Sequence, residues 1–419
     1  MTGRDGDDVL VLGGGVIGLA CAHYLIRAGR QVRVIEQGVV GRGSSHGNCG
    51  TLTPSHALPL AAPGVIGQAL RWMFRPDAPF YIRPRFDPTL WAWLLRFAAH
   101  CNARDCARAT RAKADLLKAS RSLIEALIVD EGVACEFQAS GLTYVFREPS
   151  AWAAFQDRHA PLLTLGIDWQ AWDAGRLARE EPVLRDGLAG GVHFPGDARL
   201  RPDRLVAELA RLVRAGGGRI EERNKLRGFR REGDRIVEVD TERGPRRAGQ
   251  IVFALGAWSP ELARPLGLRL PIQPGKGYSI TYTRPDPAPT RPLVLKEDSV
   301  CVTTWDSGFR LGSTMEFSGY DSRLDPLRLR ALVRGAQRYL RSPEGPQHVE
   351  DWYGWRPMTW DDLPILGPAP GLRNFLLATG HGMLGVSLAA VTGHLIADLI
   401  CGRSPIVDPT ASRPERFVN

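Results

Sequence analysis

The chain has 419 residues, 44% of them hydrophobic and 24% charged, which is enough for two cores of ~100–200 residues each and excludes disorder on a large scale. Its formal net charge is +9, with 54 Lys and Arg, nearly all Arg, so an anionic ligand or membrane surface is a natural partner. Nucleic acid is not expected, because no zinc-finger spacing, RNP-like run or long Lys/Arg block accompanies the charge.

In chain order, Val9 to Leu12 is a short apolar run, and Gly13, Gly14 and Gly15 follow it. Val16 to Ala28 then reads as a helix with Ile17, Ala20, Cys21, Tyr24 and Leu25 on one face. Gln31 to Glu36 is a second strand, and "GRGSSHGNCGTLTP" (Gly41 to Pro54) follows as a bare, small-residue loop. The region of about 85–195 is rich in Trp and Arg and reads as mostly helical, with one long pattern starting at Thr89. Arg219 to Arg223, Leu226 to Phe229 and Arg235 to Thr241 read as short strands, and Ile251 to Trp258 as an apolar strand ending at Gly256. The region of about 261–350 holds an alternating strand, Lys276 to Thr283, and a hairpin around Asp306-Ser307-Gly308. Asn374 to Gly385 is a strand that breaks into glycines, and the helix Val386 to Cys401 is closed by Gly402.

The opening is a βαβ unit. Gly13-x-Gly15-x-x-Gly18 sits between strand and helix, and Glu36 ends the second strand 18 residues beyond Gly18, near the ~20 typical of dinucleotide sites. Gly13 permits the tight turn, Gly15 lets a pyrophosphate approach, and Gly18 lets helix and strand pack closely. The helix start at Val16 and Ile17 offers N–H groups and partial positive charge to phosphate. Glu36 suits the two ribose hydroxyls. The expected architecture is α/β: a Rossmann-like dinucleotide domain from residues 1–84, 196–260 and 351–419, carrying a substrate domain from 85–195 and 261–350 built on a mixed sheet.

Seven cysteines occur with no CxxC pair, so neither a zinc site nor a disulfide framework is expected. Met1 to Asp8 is too polar for a signal peptide, and no stretch approaches ~18 unbroken apolar residues. A cytoplasmic protein is the expectation. Trp91, Trp93, Leu94, Leu95 and Phe97, with Arg96, Arg104, Arg108 and Arg111, form a cluster that suits peripheral contact with a membrane.

With "VLGGGVIGLACAHYLIRAG", "GSSHGNCG", "LPLAAPG", "PGKGYSITY", "GWRPMTWDDLPILG" and "TGHGMLG" in place, the whole chain resembles the FAD-dependent amine and amino-acid oxidoreductases of the D-amino-acid oxidase group, and most of all the bacterial D-amino acid dehydrogenases. The resemblance implies FAD, bound without a covalent link because Gly354 stands where some sarcosine-oxidase relatives carry the linking Cys. Ser44 and Ser45 would then donate to phosphate, and His46, Asn48, Cys49 and Gly50 would lie near the flavin. Leu226, Ala254 and Gly256 would line the FAD site. Gly380, Gly382, Met383, Leu384 and Gly385 would present the last helix N-terminus to the flavin N1/C2-carbonyl edge, where negative charge develops on reduction. Arg356 would bind the substrate carboxylate in a bidentate grip and so be the catalytic anchor. Tyr278 and His381 are further substrate candidates, as are Cys301 and Thr303.

The implied activity is oxidative deamination of a small D-amino acid by hydride transfer from the α-carbon to flavin N5, with electrons passed to a quinone or another redox protein. His46-Gly47-Asn48-Cys49 replaces the family's Ala-rich loop, and Val386-Ser387 its Trp-Thr. These changes fit relatives acting on D-proline or D-hydroxyproline. Two alternatives stay open: an oxygen-using glycine- or sarcosine-type amine oxidase, and a flavin-bound subunit of a larger dehydrogenase complex with partner subunits.

Overall fold

The computed structural model describes residues 7–67 and 78–417. Asp7–Leu12 forms the first strand, and Val9 to Leu12 are at most 1% exposed. It lies inside a six-stranded sheet in the order Ile365–Pro368, Phe375–Thr379, Ala248–Phe253, Asp7–Leu12, Val32–Ile35, Arg219–Glu221. All neighbours are parallel except the antiparallel edge strand Ile365–Pro368. Near-continuous apolar strands such as these are what a sheet covered on both faces requires. One face takes the helices Val16–Arg27 and Gly385–Cys401, which share a core with Leu19, Leu395 and Ile396. Their approach is close because Gly393 has no side chain: a Cβ there would stand 2.6 Å from the Ala20 carbonyl.

A nine-stranded mixed sheet carries the rest. Its order runs His348–Thr359, Ile272–Tyr282, Gly308–Phe317, Val300–Trp305, Leu293–Leu295, Leu142–Phe146, Gly190–Phe194, Gln170–Asp173, with Phe80–Ile82 beside Gly308–Phe317. The hairpin expected around Asp306-Ser307-Gly308 is present, closed by the Trp305–Gly308 pair. Strand His348–Thr359 runs through the boundary placed at residue 351, and Phe80–Ile82 brings part of the first segment into this sheet.

The region of about 85–195 is less helical than its pattern suggests. The long pattern divides into Pro88–His100 and Ala103–Glu131, because Asn102 caps the second helix by accepting the Asp105 N–H at 2.9 Å. Three strands of the nine-stranded sheet follow. The alternating strand Ile272–Tyr282 is buried along its whole length. Tyr278, Ile280 and Tyr282 pack with Leu329, Leu332 and Ala336 of the helix Pro326–Gln337, and the other face meets the loop after the second strand, where Ser279 Oγ donates to the Gly47 carbonyl at 2.9 Å. The membrane-type cluster is split: Trp93 is buried and donates to the Pro271 carbonyl at 3.1 Å, and Phe97 stacks on it, while Trp91 and Leu95 are exposed. No helix among the described residues is long and apolar enough to cross a membrane.

Candidate active site

A cavity of about 430 Å³ runs from the carboxyl ends of the parallel strands to the face of the nine-stranded sheet. At one end lie Gly13, Gly15, Val16 and Ile17 with Glu36. Gly13 has φ +108°, and a Cβ there would meet the Ala254 carbonyl oxygen at 2.4 Å. The turn therefore needs glycine for both conformation and space. Glu36 is held at its post by two backbone donors, the N–H groups of Gly14 and Gly38, each at 2.8 Å. Leu226, Ala254 and Gly256 line the same end, as do Asn224 and Lys225. Gly18 does not reach the cavity. It is crowded instead by the Gly13 carbonyl, 1.9 Å from a would-be Cβ, which is the close helix–strand packing the motif requires.

The small-residue loop is bare chiefly for the protein's own packing. A Cβ at Gly41 would meet Val206 at 2.4 Å, one at Gly47 the Trp352 ring at 2.0 Å, and one at Gly50 the Leu200 carbonyl at 2.0 Å. Gly50 thus faces the Leu200–Pro202 turn rather than the cavity, contrary to its expected place near the flavin. His46 also turns away: its Nε2 lies 3.0 Å from both carboxylate oxygens of Glu350, because that acid is the charged partner within reach. Ser44, Ser45, Asn48 and Cys49 do line the cavity. Ser45 Oγ accepts the Val16 N–H at 3.1 Å, so it sits at the helix start. Ser44 Oγ donates to the Trp355 carbonyl at 2.5 Å, so its proton is not the one offered to phosphate.

Gly382, Met383, Leu384 and Gly385 border the middle of the cavity at the start of the last helix, whereas Gly380 packs against Ile365 and Thr359 outside it. His381 borders the cavity, but its Nε2 lies 2.9 Å from Thr392 Oγ1, and burial pulls its pKa down to about 3. Burial favours its neutral ring, and Thr392 ties it to the helix that follows it.

At the far end Tyr144, Val294 and Cys301 line the cavity and belong to one cross-strand row that continues to Gly312 and Ser279. Tyr144 pairs with Val294, Val294 with Cys301, Cys301 with Gly312, and Gly312 with Ser279. Arg356 rises beside this row from the strand His348–Thr359. Its Nη1 donates to the Thr314 carbonyl at 2.6 Å and Nη2 to the Ser313 carbonyl at 3.2 Å. Ser313 and Thr314 have φ of 119° and 44°, at a bulge in the pairing with Ile272–Tyr282. Two consecutive non-glycine residues in that region cost on the order of 1–3 kcal/mol each, and here they turn both carbonyls onto one guanidinium. Gly277 makes the room: a Cβ there would lie 2.4 Å from the Arg356 guanidinium atoms. Among the described residues no carboxylate pairs with Arg356. Burial lowers its pKa, and the nearest groups of opposite tendency are the thiols of Cys49 and Cys301.

Tyr278 is a correction. It borders the cavity, but side chains alternate along a strand, and its ring lies on the face away from Gly277 and Arg356. There its hydroxyl donates to Glu316 Oε2 at 2.9 Å, and Lys276 Nζ lies 4.9 Å from its ring centre. The strongest additions that sequence reasoning missed are His56, Tyr144, Lys296 and Arg310. Tyr144 and His56 Nε2 are 3.2 Å apart at the cavity wall. Arg310, 1% exposed, clamps the loop by donating to the carbonyls of His46 at 3.2 Å and Asn48 at 2.7 Å. No motif marks these residues, and they converge only through long-range strand pairing.

The glycine turn, the acid that ends the second strand and the long cavity beside them define a dinucleotide-binding fold. Residues 8–399 match the model of the FAD dependent oxidoreductase family, and the chain belongs to that family. It is 35% identical over 406 residues to a D-amino acid dehydrogenase of Rhizorhabdus wittichii, covering 96% of this chain and 97% of the relative. It is 34% identical over 418 residues to a D-amino acid dehydrogenase of Paramagnetospirillum magneticum, covering 98% and 99%. The glycine oxidase structure from Geobacillus kaustophilus superposes with a TM-score of 0.80 at 24% identity, covering 99% of each chain. The L-proline dehydrogenase of P. horikoshii superposes at 0.74 with 19% identity, covering 98% of each. The protein is an FAD-dependent oxidoreductase, and the crowded Gly13 turn and the fixed Glu36 carboxylate are what an adenine dinucleotide requires at that end of the cavity.

Proposed function

We propose that the protein oxidises a small D-amino acid at its α-carbon with FAD and hands the electrons to an acceptor other than oxygen. The observation that carries this reading is Arg356, a cation in the cavity with no carboxylate partner among the described residues. Two of its donors are fixed on carbonyls, which leaves Nε–H and a second Nη2 proton to grip a substrate carboxylate side by side. Held so, the α-carbon would be fixed in the cavity that Met383 to Gly385 also line. FAD supplies hydride acceptance when bound. The helix N-terminus at Gly385 favours negative charge beside it. Neutral His381 adds no competing charge. Arg310 and the Trp352–Gly47 contact fix the loop beside the site. Residues that would hold FAD are Gly13, Gly15, Glu36 and Ser45 at the nucleotide end and Met383 to Gly385 in the middle.

We further infer that FAD is bound without a covalent link. Gly354 offers no thiol, and a side chain there would meet the Trp352 ring at 2.2 Å and Ser44 Cα at 3.2 Å. The compact Cys-lined floor suits a small or cyclic side chain of the D-proline type. The exposed face of Phe86, Trp91 and Leu95 is where a membrane-borne acceptor would meet the protein, and co-sedimentation with anionic vesicles, lost on their replacement by Ser, tests that.

The deciding experiment is a panel of D- and L-amino acids assayed by dye reduction with and without oxygen. D-enantiomers should reduce the dye and L-enantiomers should not. Peroxide formed as fast as substrate disappears, with no gain from dye, would instead establish the oxygen-using amine oxidase.

A further inference from the structure

Cys49 and Cys301 both line the cavity, and the proposed amine oxidation gives neither thiol a chemical step. Cys301 is on the strand Val300–Trp305, and its cross-strand partner is Gly312. Directly opposed side chains in an antiparallel pair stand with Cβ atoms ~4.5–5.5 Å apart. Gly312 has no side chain, and the place is taken by Cys49 from the loop: a Cβ on Gly312 would lie 2.5 Å from Cys49 Sγ. The Cys49 sulfur therefore fills the position facing Cys301. Both residues line the cavity. Cys301 Sγ is also 3.9 Å from Thr303 Oγ1.

We propose that Cys49 and Cys301 are a modification site for hydroperoxides, closing to a reversible disulfide across the substrate floor. The charges around the pair favour the first step. The neighbouring Cys301 thiol and the positive charges of Arg310 and Arg356 hold Cys49 below the ordinary thiol range, while the Cys49 sulfur beside it and burial push Cys301 well above that range. A thiolate, not a thiol, attacks peroxide. Cys49 sulfur attacks one peroxide oxygen, the O–O bond breaks, and the departing oxygen leaves as water after taking a proton. Cys49 then carries a sulfenic acid. Cys301 sulfur attacks it, a disulfide forms, and the sulfenic oxygen leaves as a second water with the Cys301 proton. Two thiols lose two electrons in all, and hydrogen peroxide becomes two waters, an organic hydroperoxide an alcohol and one water. Bonded sulfurs need Cβ atoms ~3.5–4.5 Å apart, and the new bond would tie the Cys49 loop to the strand Val300–Trp305.

The inference goes beyond the proposed amine oxidation and does not depend on which substrate is used. The test is to treat the FAD-loaded protein with hydrogen peroxide, cap remaining thiols with iodoacetamide and map the peptides by mass. Expected is one cross-linked peptide joining Cys49 to Cys301, lighter than its two thiol parts by about 2 Da, and its disappearance with dithiothreitol. In Cys301→Ser the same treatment should stop at a sulfenic acid on Cys49, captured by dimedone. Peptides of wild type in which Cys49 and Cys301 are both still capped as thiols, or in which Cys49 is oxidised to sulfinic acid without pairing, would overturn the proposal. So would cross-links confined to the other five cysteines, Cys101 and Cys106 among them.

Discussion

At the scale of single residues, the site rests on one guanidinium and the glycine beneath it. Arg356→Lys keeps the charge but loses the planar fork, and losing one charged hydrogen bond with its orientation costs roughly 2–3 kcal/mol. The expected result is a fall of roughly 30- to 150-fold in kcat/KM, with benzoate-type carboxylates weakened in parallel, measured by steady-state dye reduction and inhibitor titration. Gly277→Ala is the sharper variant. Its methyl would occupy the position of the guanidinium, 2.4 Å from its atoms, and those atoms are the far end of a flexible side chain that swings aside. Melting temperature should fall modestly, because the Thr314 and Ser313 carbonyls each lose a donor at a cost of about 1–3 kcal/mol, while carboxylate affinity falls as in Arg356→Lys. A Gly277→Ala protein with normal carboxylate binding would place the anchor elsewhere. The motif around Arg356 was legible in the sequence. Gly277 was not, because nothing in "PGKGYSITY" says that one glycine lies under an arginine 79 positions away; that follows only from the register of two paired strands.

At the scale of elements, the βαβ opening was legible because its determinants are local: an apolar run, a glycine turn and an acid at fixed offsets. Glu36→Ala removes the acceptor of two backbone donors and, on the dinucleotide reading, of the ribose hydroxyls. FAD affinity should drop by an amount worth roughly 1.5–3 kcal/mol per lost charged bond, read by titration of the apoprotein, with the sheet intact by circular dichroism. The close crossing of the first and last long helices was not legible, since Gly393 in "VTGHLIADLI" looks like any helical glycine. Gly393→Ala should destabilise the fold by about 1–3 kcal/mol through overpacking, because the obstacle is the Ala20 backbone, which cannot rotate away. An unchanged denaturation midpoint would contradict the crossing. The strands between residues 142 and 194 were hidden for another reason. They are short, and their partners lie 17 to 52 positions away across intervening helices or 150 positions away at Leu293–Leu295, so no local signal marks them beside the strong helical pattern that precedes them.

At the scale of the whole molecule, buried charge ties pH to stability and the cavity ties two sheets to one reaction. Asp197 is 1% exposed and bonds to Ser55 through both oxygens, at 3.0 Å to N–H and 2.5 Å to Oγ. Burial pushes its carboxyl from 3.8 up to about 7. A folded pKa above the unfolded one means that the native state holds the proton longer. The stabilisation is therefore complete below the ordinary carboxylate range and is lost as pH rises through about 7. Melting curves should show wild type losing stability relative to Asp197→Asn between about pH 4 and pH 7, with no further divergence above; parallel curves would mean Asp197 is ionised throughout. The central claim is that the cavity joins a dinucleotide end to a carboxylate anchor so that a D-amino acid reduces the flavin. Its most direct test is anaerobic stopped-flow mixing of the FAD-loaded protein with each enantiomer of a small amino acid, proline included, in wild type and Gly277→Ala. The account predicts rapid bleaching of the flavin by the D-form alone in wild type, and markedly slower bleaching at saturating substrate in the variant. Bleaching by the L-form, or an unchanged rate in Gly277→Ala, would contradict it.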